Sequence, residues 1–425
     1  MSKNISIATE QPASTAPLSM AEILRVSLVM RRMWYAQIIS VFGDVLALFA
    51  VIGVLTFKLH ATAQQVTGVQ IAYLLPLAIL GIVAGVFVDR WPLRPTLVAS
   101  DLIRAALVLL LLAAAKLWHF YAILAAISAV SSFFVPAQGV AIRAAVPAHG
   151  LRSANALMQQ VMFGMRIVGP AVAAFLVATF GPVSCYLLDS ASFVGSALLI
   201  ASLVLLKPAS AANNRGGRPT LARVLTDMRQ GVDFILHHAG LLFVILALAS
   251  GMFLIGCFGP LIAVYVRDSL HASTTVFGWA SALVGVGMLL GINSLTAFVR
   301  NVKSATLVYA GLAGIAAGLL LLGLAAHIAT ALVGNFVIGF AVAGIVIPSQ
   351  TLLQQETPPE LLGRVGSTVM SVIFVAQISG LVLSGMVASR VGVRKVFLAC
   401  AVLVGIVIAV GRLWMEPKAA AASVA

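Results

Sequence analysis

Long apolar runs separated by short polar stretches set the rhythm of this chain. A helix needs about 20 apolar residues to cross the hydrocarbon core of a bilayer. A window of that length picks out twelve stretches, roughly 34–57, 68–88, 97–115, 119–141, 157–179, 183–206, 240–264, 275–298, 304–325, 328–350, 367–388 and 394–415. Alternating segments of about ten residues would signal a membrane β-barrel; the runs here are continuous, so the expectation is an all-α membrane protein with twelve transmembrane helices. Residues 1–33 begin with a polar Ser-, Thr- and Pro-rich stretch that has no apolar core of the kind a leader needs, and they are expected to be a cytoplasmic N-terminal segment.

The pattern breaks once, over residues 207–239. Lys207, Arg215, Arg218, Gly and Pro mark a linker, after which Leu221, Leu225, Met228, Val232 and Ile235 recur at helical spacing. That spacing predicts an amphipathic helix on the membrane surface. The break divides the spans into two six-helix bundles, 34–206 and 240–415, followed by a cytoplasmic tail at 416–425. The bundles share an internal echo. Val135-Pro136-Ala137-Gln138 matches Ile347-Pro348-Ser349-Gln350, and Pro147 and Arg152 match Pro359 and Arg364 in the same register, as a parallel repeat requires.

Composition narrows the class. Only 9% of the 425 residues are charged against 61% hydrophobic, with mean hydropathy +1.10. Soluble domains carry about 25% charged residues, so lipid is the expected solvent for most of this surface. Three cysteines do not make a disulfide scaffold. The net charge of +14 is scattered between apolar runs, which argues against a nucleic-acid partner. Its distribution instead reports orientation. With the N-terminus cytoplasmic, 19 of the 26 Lys and Arg fall on inner segments, 6 on outer ones (Lys58, Lys116, Arg267, Arg390, Arg394, Lys395), and Arg166 inside the fifth span. The positive-inside rule then puts both termini in the cytoplasm, with the last outer loop fitting worst.

Gly85-Val86-Phe87-Val88-Asp89-Arg90-Trp91-Pro92-Leu93-Arg94, between the second and third spans, resembles the loop signature of the major facilitator superfamily, matching at Gly85, Asp89, Arg90 and Arg94. Pro92 and Leu93 replace the usual Gly and basic residue. Ser40-Val41-Phe42-Gly43-Asp44, Asp101-Leu102-Ile103-Arg104, Leu362-Gly363-Arg364-Val365 and Arg166-Ile167-Val168-Gly169-Pro170 resemble the drug-efflux branch that holds macrolide and enterobactin exporters. Gly169-Pro170 is similar to the exporters' fifth-helix motif, although Ala173 and Ala174 stand where it usually has Gly. The resemblance implies the major facilitator fold, with Gly85, Asp89, Arg90 and Arg94, extended by Asp101 and Arg104, forming a cytoplasmic gate.

A charge at mid-bilayer costs at least about 2.5–3.5 kcal/mol on insertion scales, so each one inside a span needs a reason. Asp44, Arg166 and Asp189 are those residues, and they are the proton-coupling candidates, Arg166 serving as the cation. Asp and Glu of the second half (Asp227, Asp233, Asp268, Glu356, Glu360, Glu416) all fall in or near loops. Phe42, Tyr73, Gln138, Asn335, Gln350 and Phe374 are candidates to line a substrate cavity. Gly285 to Gly291 reads as a helix-packing stripe, and Pro136, Pro170, Pro260 and Pro348 are expected to bend or break their spans. There is no phosphate-binding Gly-Lys-Ser/Thr run, no His-Glu-x-x-His run and no ligand cluster. No cofactor, metal or enzyme activity is therefore expected. The sequence points to an inner-membrane secondary carrier, working as a monomer, that exports small amphipathic, drug-like molecules in exchange for protons. The alternatives on the same fold are a siderophore exporter and a lysophospholipid flippase.

Overall fold

The computed structural model describes residues 19–88, 91–204, 233, 235, 236, 238–298, 302, 304–357 and 361–415. The linker and most of the expected surface helix at 221–235, the N-terminal residues 1–18 and the tail 416–425 lie outside them. The described chain is helical. A short α1 (Met20–Val26) starts at a capping box, in which Ser19 accepts from the Glu22 amide and Glu22 bonds back to the Ser19 amide and hydroxyl. Those bonds, the side-chain one foremost, hold the Glu22 carboxyl below its ordinary range.

The long helices follow: α2 (Leu28–Gly53), α3 (Ala63–Val88), α4 (Leu93–Leu109), α5 (Leu117–Ala145), α6 (Leu151–Phe180), α7 (Pro182–Ala201), α8 (Ala239–Phe258), α9 (Leu261–Asp268), α10 (Thr274–Phe298), α11 (Ser304–Leu324), α12 (Ile328–Glu356), α13 (Leu362–Val391) and α14 (Val393–Val410). Among the described residues eleven helical stretches are long and apolar enough to cross a membrane. α6 offers only the shorter apolar run Val168–Phe180, because polar residues and Arg166 occupy its first half. α8 and α9 together fill the expected span 240–264, broken at Gly259-Pro260, since Pro260 supplies no amide to continue the ladder. Several helices start before the apolar runs do, α2 by six residues and α6 by the same, because hydropathy registers the lipid-facing stretch and not the helical backbone that continues past it.

α2 packs on α6 and α7, α3 on α5, and α4 on α5 and α7. In the second set α12 packs on α10 and α11, α8 on α13, and α11 on α14. The sets meet along α3–α13 and α6–α10. Alternate helices run in opposite directions, which gives the molecule a terminal end, carrying α1 and the last turn of α14, and an opposite end. At the terminal end, Arg32 donates to Ser202 O (2.8 Å) and Arg94 to Ala201 O, so two cations close the C-terminus of α7.

The echo seen in sequence has a backbone counterpart. His60 and His271, 211 residues apart, are the described non-glycine residues with positive φ (48° each), and Gly181 and Gly392, also 211 apart, are glycines at φ 79° and 87°. The turns before the histidines match bond for bond. Leu59 and Ala61 donate to Val54 O and Leu55 O; Leu270 and Ala272 donate to Tyr265 O and Val266 O.

Candidate functional site

Gly43 sets the geometry of the site. A Cβ at this position of α2 would run into Ser192 Oγ, Asp189 Oδ1 and the Asp189 backbone on α7, so a bare Cα is what lets the two helices come this close. The contact puts the buried Asp189 against residue 43, with the half-buried Asp44 at the next position. Gly169 on α6 plays the same part against Val45. Asp44 is thus flanked by two glycine-mediated approaches, to α7 on one side and α6 on the other.

The third acid and the cation come from α4. Arg104, 4% exposed, donates to Asp101 Oδ1 one turn back, and Asp101 Oδ2 accepts from Ser196 Oγ of α7 at 2.7 Å. The guanidinium lies 4.4 Å from the ring centre of Phe134 on α5 and 4.3 Å from that of Phe193 on α7. Sandwiched this way it is held by ring quadrupoles as well as by the carboxylate. Asp44 and Asp189 both lie within electrostatic reach of Arg104, Asp44 within that of Asp101, and Asp189 within that of Asp44. Among the described side chains, one guanidinium therefore stands among three carboxyl groups in the interior of the first helix set.

The arrangement bears on two expectations. Arg104 is a cation that the structure brings to Asp44 and Asp189, the role expected of Arg166, whose side chain lies outside the described residues; its backbone stands three residues before Gly169 in α6. Asp101 and Arg104 were expected to extend the gate loop. α4 begins at Leu93, which carries them about 12 and 16 Å along the helix at 1.5 Å per residue, into the bundle and toward α7. Of the gate motif, Gly85 lies in α3, Arg94 is in the first turn of α4, and Asp89 and Arg90 are outside the described residues.

The cavity candidates separate as well. Gln138 Nε2 donates to Gln37 Oε1 at 2.7 Å, and Gln37 Nε2 donates to Met162 Sδ at 3.7 Å, a polar bridge across α5, α2 and α6. Sequence reasoning missed Gln37, although its place seven residues before Asp44, on the same helix face, was a readable signal. Phe42, Tyr73 and Phe374 are partly buried. The side chain of Gln350 is outside the described set. Asn335 is corrected: it is 0% exposed, and its Nδ2 donates to Ala331 O (2.7 Å) within its own helix. The neighbouring Gly334 packs against Gly318 of α11, and residue 335 is fully buried beside that seam.

A cavity of about 620 Å³ lies at the opposite end between the two sets, lined by residues that include His60, Thr62, Arg267, Ser389, Arg394 and Lys395.

Comparison with known proteins gives a consistent picture. The sequence pattern described as Major Facilitator Superfamily matches residues 33–369 and 241–424. The chain is 27% identical over 392 residues to an uncharacterized transporter of that type, YfiS of Bacillus subtilis, covering 90% of this chain and 93% of the relative. It is 27% identical to macrolide efflux protein A of Streptococcus pyogenes, over 87% and 92% of the two chains. Among solved structures, the nucleoside transporter NupG superposes with a TM-score of 0.67 at 12% identity, over 89% and 97%. That last likeness is one of fold alone.

Proposed function

Because the chain belongs to the Major Facilitator Superfamily, a family of multi-pass membrane transporters and not enzymes, we propose that it is a secondary active exporter that moves small amphipathic compounds outward in exchange for protons. In this reading twelve helices form two six-helix bundles in the inner membrane, the terminal end faces the cytoplasm, and the bundles rock about a central site by alternating access. The relative named for macrolide efflux supports drug-like cargo.

The observation that carries the proton coupling is the Asp44, Asp101, Asp189 and Arg104 cluster. Among the described side chains, three carboxylates around one guanidinium would sum to a charge of −2 in a setting where charge is costly. Protonation of a carboxyl lowers that charge, and movement of α2 against α6 and α7 alters which acid Arg104 serves. Proton binding and helix movement are then linked, because each changes the cost of the other. Asp44, half-buried and flanked by Gly43 and Gly169, is the acid with access to the centre. Gln37, Gln138 and Met162, one to two turns toward the terminal end on α2 and its neighbours, are placed to meet cargo entering from the cytoplasm.

The test is macrolide uptake into inside-out vesicles driven by an imposed pH gradient. Asp44→Asn should slow gradient-driven uptake by roughly tenfold or more, equivalent to about 1.4 kcal/mol, while exchange of labelled for unlabelled cargo continues. A gradient-driven rate equal to wild type would sink the assignment.

A further inference from the structure

The six cations expected on the outer segments run against the positive-inside pattern, and the structure gives two of them work. Arg394 donates to Gly323 O (3.0 Å) and Leu324 O (2.8 Å), the last carbonyls of α11, which a cation at a helix C-terminus satisfies. Arg267 does something else. Its Nη1 donates to Thr56 O and to Ala61 O, both at 2.8 Å, across the boundary between the two helix sets. Its other edge is held by its neighbour: Nε donates to Asp268 Oδ1 (2.5 Å) and Nη2 to Asp268 Oδ2 (2.9 Å). This bidentate grip fixes the guanidinium plane, leaving one nitrogen aimed over the seam.

The target is specific. At the end of α2 the carbonyls of Val54 and Leu55 are taken by the amides of Leu59 and Ala61, and the next one along, Thr56, is taken by Arg267. In the repeat defined by the matched turns, Arg267 occupies the position equivalent to Thr56, 211 residues on. The arginine therefore bonds the backbone of its own counterpart, at the place where the two sets approach around their shared pseudo-axis. The same end carries a second cross-seam bond, from the Gln64 amide to Ser389 Oγ (3.1 Å), and the stacked rings of Phe49 and Phe277, 4.5 Å apart. Gly278 and Gly385 approach Ala174 and Thr67 there as well.

We propose that Arg267, oriented by Asp268, is the latch of the opposite-end gate: its two carbonyl bonds hold the sets together at that end, and they must break each time the central site opens toward it. The proposal rests on the alternating-access reading above. Arg267 touches no cargo in this assignment; it is a positioning residue that sets the balance between the two open states.

The test is a distance measured across the seam by paired nitroxide labels at Thr62→Cys and Lys395→Cys, residues that line the 620 Å³ cavity from the two sets. The native cysteines are buried and do not compete for label. In Arg267→Gln the separated population should rise about tenfold, as expected for losing hydrogen bonds to a charged donor, and Arg267→Lys should restore part of the short distance. Asp268→Asn should shift the distribution in the same direction by less. Retained thermal stability of Arg267→Gln in detergent would show that the protein is still folded, since Asp268 is half-exposed and solvent can take over its bonds. An unchanged distance distribution in a folded Arg267→Gln overturns the latch. A wild type whose distance never changes with erythromycin or a pH gradient sinks the rocking cycle and the latch with it, whereas a wild type that moves while a folded Arg267→Gln keeps its distribution overturns the latch alone.

Discussion

The two helix sets share a backbone plan and both use close glycine contacts, but the first adds a charged cluster to them. In the first, α2, α4 and α7 meet over Asp44, Asp101, Asp189, Ser196 and Arg104. In the second, glycines do the joining. Gly287 and Gly291 of α10 press on the α12 backbone at Phe336 and Phe340, Gly339 of α12 presses on Val284, and Gly311, Gly314 and Gly318 of α11 press on α12 from the other side. Close backbone approach gives dispersion contact without burying a charge. A charged seam must keep every partner in place, but it can change state when a proton arrives. The comparison teaches that the two copies of the repeat share an architecture, while among the described residues the buried charges lie in the first copy.

Removing Arg104 should be the most damaging way to break that contrast. Arg104→Leu leaves Asp101 buried without its cation, and losing one partner of a buried pair costs about 3–5 kcal/mol. We expect little folded protein by fluorescence-detected size exclusion, and partial recovery of folding, without gradient-driven transport, in Arg104→Leu/Asp101→Asn. Glycine substitutions come next. Gly43→Ala and Gly339→Ala both force a methyl into a packed seam, at about 1–3 kcal/mol each, visible as lower melting temperatures in detergent. The contrast predicts that Gly43→Ala also alters the pH dependence of transport and Gly339→Ala leaves it as in wild type. Equal pH profiles would mean the charged seam is as passive as the glycine one. The smallest effect belongs to Asn335→Leu. Its Oδ1 is buried without a partner, so an apolar replacement should leave transport unchanged and stability within about 1 kcal/mol of wild type, or above it.

Much of this was readable before any coordinates. The apolar runs located the helices, Pro260 the break between α8 and α9, and the Gly285–Gly291 stripe the packing face of α10. Asp44 and Asp189 stood out because charge is rare in such runs, and the repeat showed in Val135–Gln138 against Ile347–Gln350. The partners of those acids were not readable. Arg104 and Asp101 sit close enough to the start of their span to pass for loop-side charges, and only the packing of α4 against α7 turns them inward. Asn335 looked like a cavity residue because a polar group within an apolar run gives no sign of which side of its helix is sealed.

The sequence by itself determined the solvent, the helical class and the scarcity of buried charge, because hydrophobic length and the cost of ionised groups in lipid are local properties of the chain. Only the tertiary structure decided which charges meet. Gly43 and Gly169 bring α2 to within backbone reach of α7 and α6, so that residues more than a hundred positions apart share one electrostatic site. Likewise Arg267, read along the chain as a cation on the wrong side, acquires its role from two carbonyls that folding carries to it from the first set.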